Sequence, residues 1–401
     1  MWARALWNPS GGCAAIVVAL LTGCMSAQGS EWSGYAAVEG RHFFEDAADP
    51  RQHGDNLSFS FEPEYVHEWQ DGRQVLTFVP FARLDGHDSA RTHFDIRELT
   101  WEKAAQTWEL RLGIRKLFWG VTESRHLVDI INQTDLVEDP DGEDKLGQPM
   151  INLALIREWG TMDLYLMPWF RERTFPGVEG RLRPALPVAV DEARYESGAR
   201  DHHLDWAVRW SRSAGVWDMG LSYFDGTARA PRLLPEQVGG EVRLVPYYDQ
   251  LQQVGLDIQA TLDAWLWKLE AVSRHDSAGR SSAFTGGFEY TFYGVVGDGD
   301  LGVLMEYSFD DRGDAFAVMD NDVFVGARFT LNDAQSSELL AGVIMDMGGD
   351  GRLVNIEASR RLGDAWKLSL EARFFVAIPD AKPLTGLRHD DYLQIELARY
   401  F

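Results

Sequence analysis

Tyr392-Leu-Gln-Ile-Glu-Leu-Ala-Arg-Tyr-Phe401 decides the fold. One face of this stretch carries Leu393, Ile395, Leu397 and Phe401; the other carries Gln394, Glu396 and Ala398. Side chains of a β-strand point alternately to its two faces. An apolar face and a polar face over about ten residues is the pattern of a strand that crosses a bilayer beside a polar lumen. The edge strand of a soluble domain alternates in the same way, so the rest of the chain has to decide.

The rest repeats the pattern. In Trp366-Lys-Leu-Ser-Leu-Glu-Ala-Arg-Phe-Phe-Val376 the outward set is Trp366, Leu368, Leu370, Ala372, Phe374 and Val376, and Lys367, Ser369, Glu371 and Arg373 face inward. The same parity puts Asp205 and Arg209, Asp257, Lys268 and Glu270, Glu289, Glu306, Arg328 and Glu357 inside. Glu109, Arg111 and Arg115 share one inward phase, and the strand at 92–103 slips phase near Arg97-Glu98. From Trp32 onward 18 such segments can be counted, among them 107–119, 162–175 and 243–261. Short turns such as Gln70-Asp-Gly-Arg73 and Leu262-Asp263 alternate with mostly longer polar connections, including 120–149 and 176–201. The expected fold is all-β: a single transmembrane antiparallel β-barrel of about 16–18 strands over 32–401.

Composition agrees. The mature region has no apolar run long enough for a helical span. Fifteen Trp are present, and Trp69, Trp101, Trp119, Trp159, Trp217 and Trp366 sit near segment ends, as aromatic girdles would. A net charge of −24 opposes nucleic-acid binding, which needs Lys and Arg against phosphates. Both cysteines, Cys13 and Cys24, lie in the first 24 residues, so the body holds no disulfide or cysteine metal site.

Arg4 followed by Ala14-Ala-Ile-Val-Val-Ala-Leu-Leu21 and small residues reads as an export signal over 1–23. Leu21-Thr-Gly-Cys24 resembles the lipobox of bacterial lipoproteins, which would make Cys24 the acylated first residue. Cleavage near Ala27 is the alternative. A lead of 24–31 then leaves too little chain before the first strand for a folded plug domain.

In this organisation, with Tyr400-Phe401 at its end, the chain resembles Gram-negative porins. It is most similar to large single-chain barrels related to substrate-specific porins and polysaccharide-export barrels. The likeness is one of architecture, without a residue-specific motif, and Arg399 departs from the apolar residue such barrels often carry there. The resemblance implies an outer-membrane location with both termini periplasmic. It also implies contact with outer-membrane lipids and lipopolysaccharide, and recognition of Phe401 by the barrel-assembly machinery. An inner-membrane transporter or further copies of the chain are the partners it leaves open.

In general porins the third outer loop folds inward, and here that loop is 120–149. Thr122 opens a helix-like stretch in which Leu127, Ile130 and Ile131 fall on one face, leaving Glu123, Arg125 and Asp129 to the channel. Acids follow at Asp135, Glu138, Asp139, Asp141, Glu143 and Asp144. Set against a wall ladder of Arg97, Arg111 and Arg115, they would form a charge-selective constriction. With these go Glu109, Arg209, Lys268, Arg328 and Arg373 as pore-lining charges.

Asp139-Pro-Asp-Gly-Glu-Asp144 lacks the spacing of an EF-hand, and no His or Cys pattern marks a metal or other cofactor. Ser124, His126 and Asp129 crowd one helical turn and would point apart, as would His202 and His203 on a strand, so no catalytic triad is expected. The functional expectation is a porin-like channel for small solutes. A plugged barrel serving lipid or small-molecule export, or an outer-loop receptor or adhesin, is the alternative.

Overall fold

The structure is a computed structural model that describes residues 29–313, 317–380 and 382–401. The export signal, Cys13 and Cys24 lie outside these residues. Among the described residues there is no α-helix, only strands and three short 3-10 turns.

The first seven strands are β1 (Ser30–Phe43), β2 (Asp55–Trp69), β3 (Gln74–Asp85), β4 (His93–Ala104), β5 (Trp108–Arg115), β6 (Gln148–Arg157) and β7 (Gly160–Met167). After β8 (Arg194–Tyr195) come β9 (Asp205–Ala214) and β10 (Trp217–Thr227), and then a hairpin of β11 (Arg232–Val238) and β12 (Glu241–Tyr248). The chain continues with β13 (Gln250–Leu262), β14 (Trp265–Asp276), β15 (Gly279–Val296), β16 (Gly299–Asp310) and β17 (Asn321–Thr330). It ends with β18 (Glu338–Asp346), β19 (Arg352–Leu362), β20 (Trp366–Val376) and β21 (Tyr392–Tyr400).

Eighteen of these strands form one antiparallel sheet that closes on itself, because β1 pairs with both β2 and β21. The closing seam runs from Tyr35 opposite Tyr400 to Phe43 opposite Tyr392. Closure satisfies every strand edge from within, the condition for a sheet to sit in hydrocarbon. The other three strands, β8, β11 and β12, form a small sheet at the long-loop end. The segment read as one strand over 243–261 is therefore two, β12 of this small sheet and β13 of the wall. The segments read over 107–119 and 162–175 leave the wall earlier, at Arg115 and Met167.

The outer surface is apolar along the alternating positions: Val38, Leu221, Val254, Val325, Ile395 and Leu397 are exposed. Trp159, Trp217 and Trp366 are exposed near the strand ends, as girdle residues are. Trp119 is not one of them. It is buried in an interior cluster with Leu127, Val128, Ile131, Tyr165, Phe224 and Leu251.

The phase slip near Arg97 is a β-bulge. Glu98 pairs with Val79 and Ile96 with Pro80, which leaves Arg97 as the extra residue. Pro80 has no N–H to give to a ladder, so an interrupted register suits it. The bulge turns Arg97 inward, where it is buried.

An outward Val325→Arg change should destabilise the barrel by about 2–4 kcal/mol, since it puts a charge in mid-membrane. Urea unfolding into lipid vesicles measures this, and the inward Ser369→Arg, opposite Glu396, should shift the midpoint far less.

Candidate functional site

The connection 116–147 between β5 and β6 lies against inward-facing side chains of strands far around the barrel. Two wall carboxylates hold its first part by the backbone. Glu270 Oε1 on β14 accepts from Val121 N at 2.7 Å, Thr122 N at 3.1 Å and Thr122 Oγ1 at 2.7 Å, and Oε2 accepts from Val128 N at 3.1 Å. Glu306 on β16 accepts from Glu123 N at 2.7 Å and from Ser124 N and Oγ at 2.8 and 2.7 Å.

This arrangement explains why the helix expected at Thr122 is absent. The Val128 amide, which would bond back to Ser124 O within such a helix, is given to Glu270 instead. Leu127, Val128, Ile130 and Ile131 are all buried, so no single helical face exists. Gly255 of β13 makes room for them, because a Cβ there would lie 3.2 Å from Val128 Cγ1.

The charges predicted to face the channel are mostly consumed. Glu123 pairs with Arg328 at 2.6 Å and Lys268 at 3.5 Å, and Arg125 pairs with Asp310 at 2.7 Å. Asp129, expected in the channel, is buried beside Lys145 at 3.3 Å. Of the expected arginine ladder only Arg97 meets the connection, binding Asp135 at 2.6 Å. Arg111 instead pairs with Glu102 at 2.6 Å and with Glu109, and Arg115 donates to Asn152 at 3.0 Å. Those partners sit on the wall itself, Glu102 and Asn152 on the neighbouring strands and Glu109 on the same one. Arg209 binds Asp257 through both terminal nitrogens, at 2.7 and 2.8 Å.

Beyond Asn132 the connection doubles back. Asp135 N donates to Asp144 O at 2.8 Å, and Leu146 N to Gln133 O at 2.9 Å. The result is a narrow lobe with an acidic tip. On one side Glu138 binds Arg83 at 2.7 Å, and Arg83 and Arg91 share Glu39 at 3.1 and 2.8 Å. On the other side Arg373 of β20 binds Asp139 at 2.9 Å and Asp141 at 2.7 Å. Arg83, Arg91 and Glu39 were not singled out from sequence. Strand parity carries Arg83 and Glu39, but Arg91 lies in a loop where no periodicity applies.

Between these clamps the tip meets water. The Glu143 side chain is 67% exposed, Asp141 27%, and Asp144 is exposed as well. Protein nonetheless surrounds them closely. Enclosure, then the charges of Glu138 and Asp141, push the Asp144 carboxyl up to about 7. Burial works against a charge on His126, but Glu143 and Glu270 prevail and hold the imidazole at about 9.

His93, Asp135 and Glu138 have ligand atoms within 4.8 Å of one another, a spacing that could hold a metal ion. Arg97 and Arg83 already engage the two carboxylates. Ser124 donates to Glu306, and Asp129 is turned to Lys145, so neither addresses His126 as a triad would. Phe401 N donates to Gly34 O at 3.1 Å, and its ring stacks on Phe61 with centroids 6.0 Å apart.

No protein-family model matches the chain, and no curated protein matches it by sequence. Solved structures do match it in fold. Wzi is an outer-membrane protein of Escherichia coli involved in group 1 capsule assembly and a carbohydrate-binding β-barrel. It superposes with a TM-score of 0.52 at 10% identity, over 90% of this chain and 83% of Wzi. OccK8 (OprE) of Pseudomonas aeruginosa superposes with a TM-score of 0.51 at 11% identity, over 93% of this chain and 97% of its own. The fold is therefore that of an outer-membrane β-barrel.

Proposed function

We propose that this protein lies in an outer membrane, long loops outward and both termini periplasmic, and passes small solutes through a lumen narrowed by residues 116–147. The observation that carries this reading is the state of the acidic tip. Asp141, Glu143 and Asp144 touch water although Arg83 and Arg373 clamp the tip on either side. An acid edge with water beside it, held rigid within a wall, has the make-up of a selective constriction. Glu143, paired only loosely with His126 at 3.9 Å, and Asp144 favour cations there.

The second reading is a binding barrel with a shut lumen. It draws on the deep burial of Glu270, Glu306, Asp257 and Arg97, which a wide water-filled bore would leave wet. The likeness to Wzi points the same way, at the level of fold.

Single-channel recording in planar bilayers separates the two. Steady, cation-preferring conductance is expected, with the cation preference falling about twofold in a Glu143→Gln, Asp144→Asn double variant. A folded barrel that never conducts would overturn the channel reading.

Acidity supplies a second check. With its carboxyl near 7, Asp144 gains charge between pH 6 and 8, so cation preference should climb over that window and flatten in Asp144→Asn. The sign for stability is the reverse. A carboxyl raised from 3.8 to about 7 favours the fold fully below pH 3.8, and that contribution is lost as pH rises from there to about 7.

Glu270→Ala should strand the amides of Val121, Thr122 and Val128, at about 1–3 kcal/mol for each unsatisfied donor. Hydrogen exchange in micelles should then show protection lost across 119–131 while the strand amides keep theirs.

A further inference from the structure

In a chain with 62 acidic and 38 basic residues, carboxylates ordinarily outnumber the cations they meet. One place inside the barrel reverses this. At the long-loop end of β14 and β16 stand Arg125, Arg274 and Arg312, and Asp310 is the one carboxylate among the described residues that forms an ion pair with any of them. Asp310 is fully buried and both its oxygens are used. Oδ1 accepts from Arg312 Nε at 2.9 Å, and Oδ2 accepts from Arg312 Nη2 and Arg125 Nη2, each at 2.7 Å. Nothing is left for Arg274.

Arg274 is half-buried on the inward face of β14. Its Nε donates to Gln253 Oε1 at 2.7 Å and its Nη2 to Leu127 O at 3.3 Å, both of them neutral acceptors. Arg312, Arg125, Asp310 and Asp276 are the charges within electrostatic reach of it. Asp276 turns its Oδ1 to Ala278 N at 2.8 Å, and Asp311, next to Arg312, turns its Oδ2 to Ser282 N at 3.0 Å. A charge drawn partly out of water is costly unless an opposite charge meets it. The open donors share one edge of the wall. Arg274 is paired with Ser281 across the β14–β15 ladder, on the same inward face. The β15–β16 ladder ends at Ala283 opposite Asp310, Asp311 N still donates to Ser282 O at 3.1 Å, and Arg312 follows. Two strand spacings are about 10 Å, a gap that two arginine side chains can close from either side. Arg274 Nη1, Arg312 Nη1 and the Ser281 hydroxyl make no hydrogen bond among the described residues, and none of the three is closed off from solvent.

We propose that Arg274, Ser281 and Arg312 form a binding site for a tetrahedral oxyanion of the phosphate type, entering from the long-loop end, with Arg125 adding positive charge nearby. Guanidiniums hold such oxygens in charge-assisted pairs. A planar carboxylate cannot give each of three separate donors its own oxygen, whereas a phosphate can. The inference concerns binding alone and stands whether or not the lumen conducts.

The test is isothermal titration calorimetry of the full-length protein in micelles, with inorganic phosphate added at constant ionic strength and with chloride and acetate as controls. Saturable phosphate binding is expected. Arg274→Gln should raise the dissociation constant about tenfold, as loss of one charge-assisted hydrogen bond does. Arg274→Lys, which keeps the charge without the planar fork, should recover part of that loss. Ser281→Ala, a small change at a half-buried position, should weaken binding to a lesser extent. Heat-modifiable migration shows that each variant is folded. Absence of saturable phosphate binding would overturn the inference, and so would unchanged affinity in folded Arg274→Gln and Ser281→Ala. Chloride or acetate bound as tightly as phosphate would reduce the site to an unselective cationic surface and overturn it as well.

Discussion

A backbone N–H that leaves water must find an acceptor, and this molecule is organised around that constraint at two levels. At the wall it forces closure: a sheet whose edge strands met lipid would leave a row of amides unmade, so β21 turns back onto β1. Within the barrel the same requirement is met by side chains. Seven donor contacts from residues 121–128 end on just two carboxylates, Glu270 and Glu306. Each carboxylate has several lone pairs and, once ionised, accepts charge-assisted bonds of about twice the usual strength. Two acids can thus fix a stretch that has no secondary structure of its own.

The buried charges follow from this choice. An ionised Glu270 inside protein is tolerable only if its oxygens are fully used, and they are. Similar logic gathers Glu39, Arg83, Arg91 and Glu138 into one network, and Asp139, Asp141 and Arg373 into another. Such pairs add little net stability over apolar packing of the same volume, but breaking one leaves an uncompensated charge. They therefore specify position more than they stabilise. The tip at 136–144 is held in one place between two clamps, and Asp141, Glu143 and Asp144 along its edge meet water.

Strand parity was legible in the sequence because a lipid-facing wall imposes it residue by residue. All 18 wall strands, and the inward placement of Glu270, Glu306, Arg328 and Arg373, can be read that way. The phase slip at Arg97 was visible too, and it is a bulge. Illegible were the partners. Parity says that Arg111 faces inward but not that Glu102 on the neighbouring strand will take it before any loop acid does. The failed helix is the sharpest case. Leu127, Ile130 and Ile131 have helical spacing, yet spacing is a weak prior when a carboxylate distant in sequence takes the Val128 amide that a helix would use. Arg91 lies in a loop, where no period exists to read.

One consequence joins the lumen to the long-loop end. The tip that bears the water-exposed acids also lines a crevice between the loops after β1 and β3 and the segment 176–182, through Leu136, Val137, Glu138 and Pro140. Glu138 is clamped by Arg83, and Arg83 shares Glu39 with Arg91, itself a crevice residue. One short lobe thus carries both the crevice lining and the acid edge, tied to the wall by two ion networks. Here the lobe is fixed by clamps on both flanks rather than hinged, so the geometry favours one position of the acid edge over a swinging one.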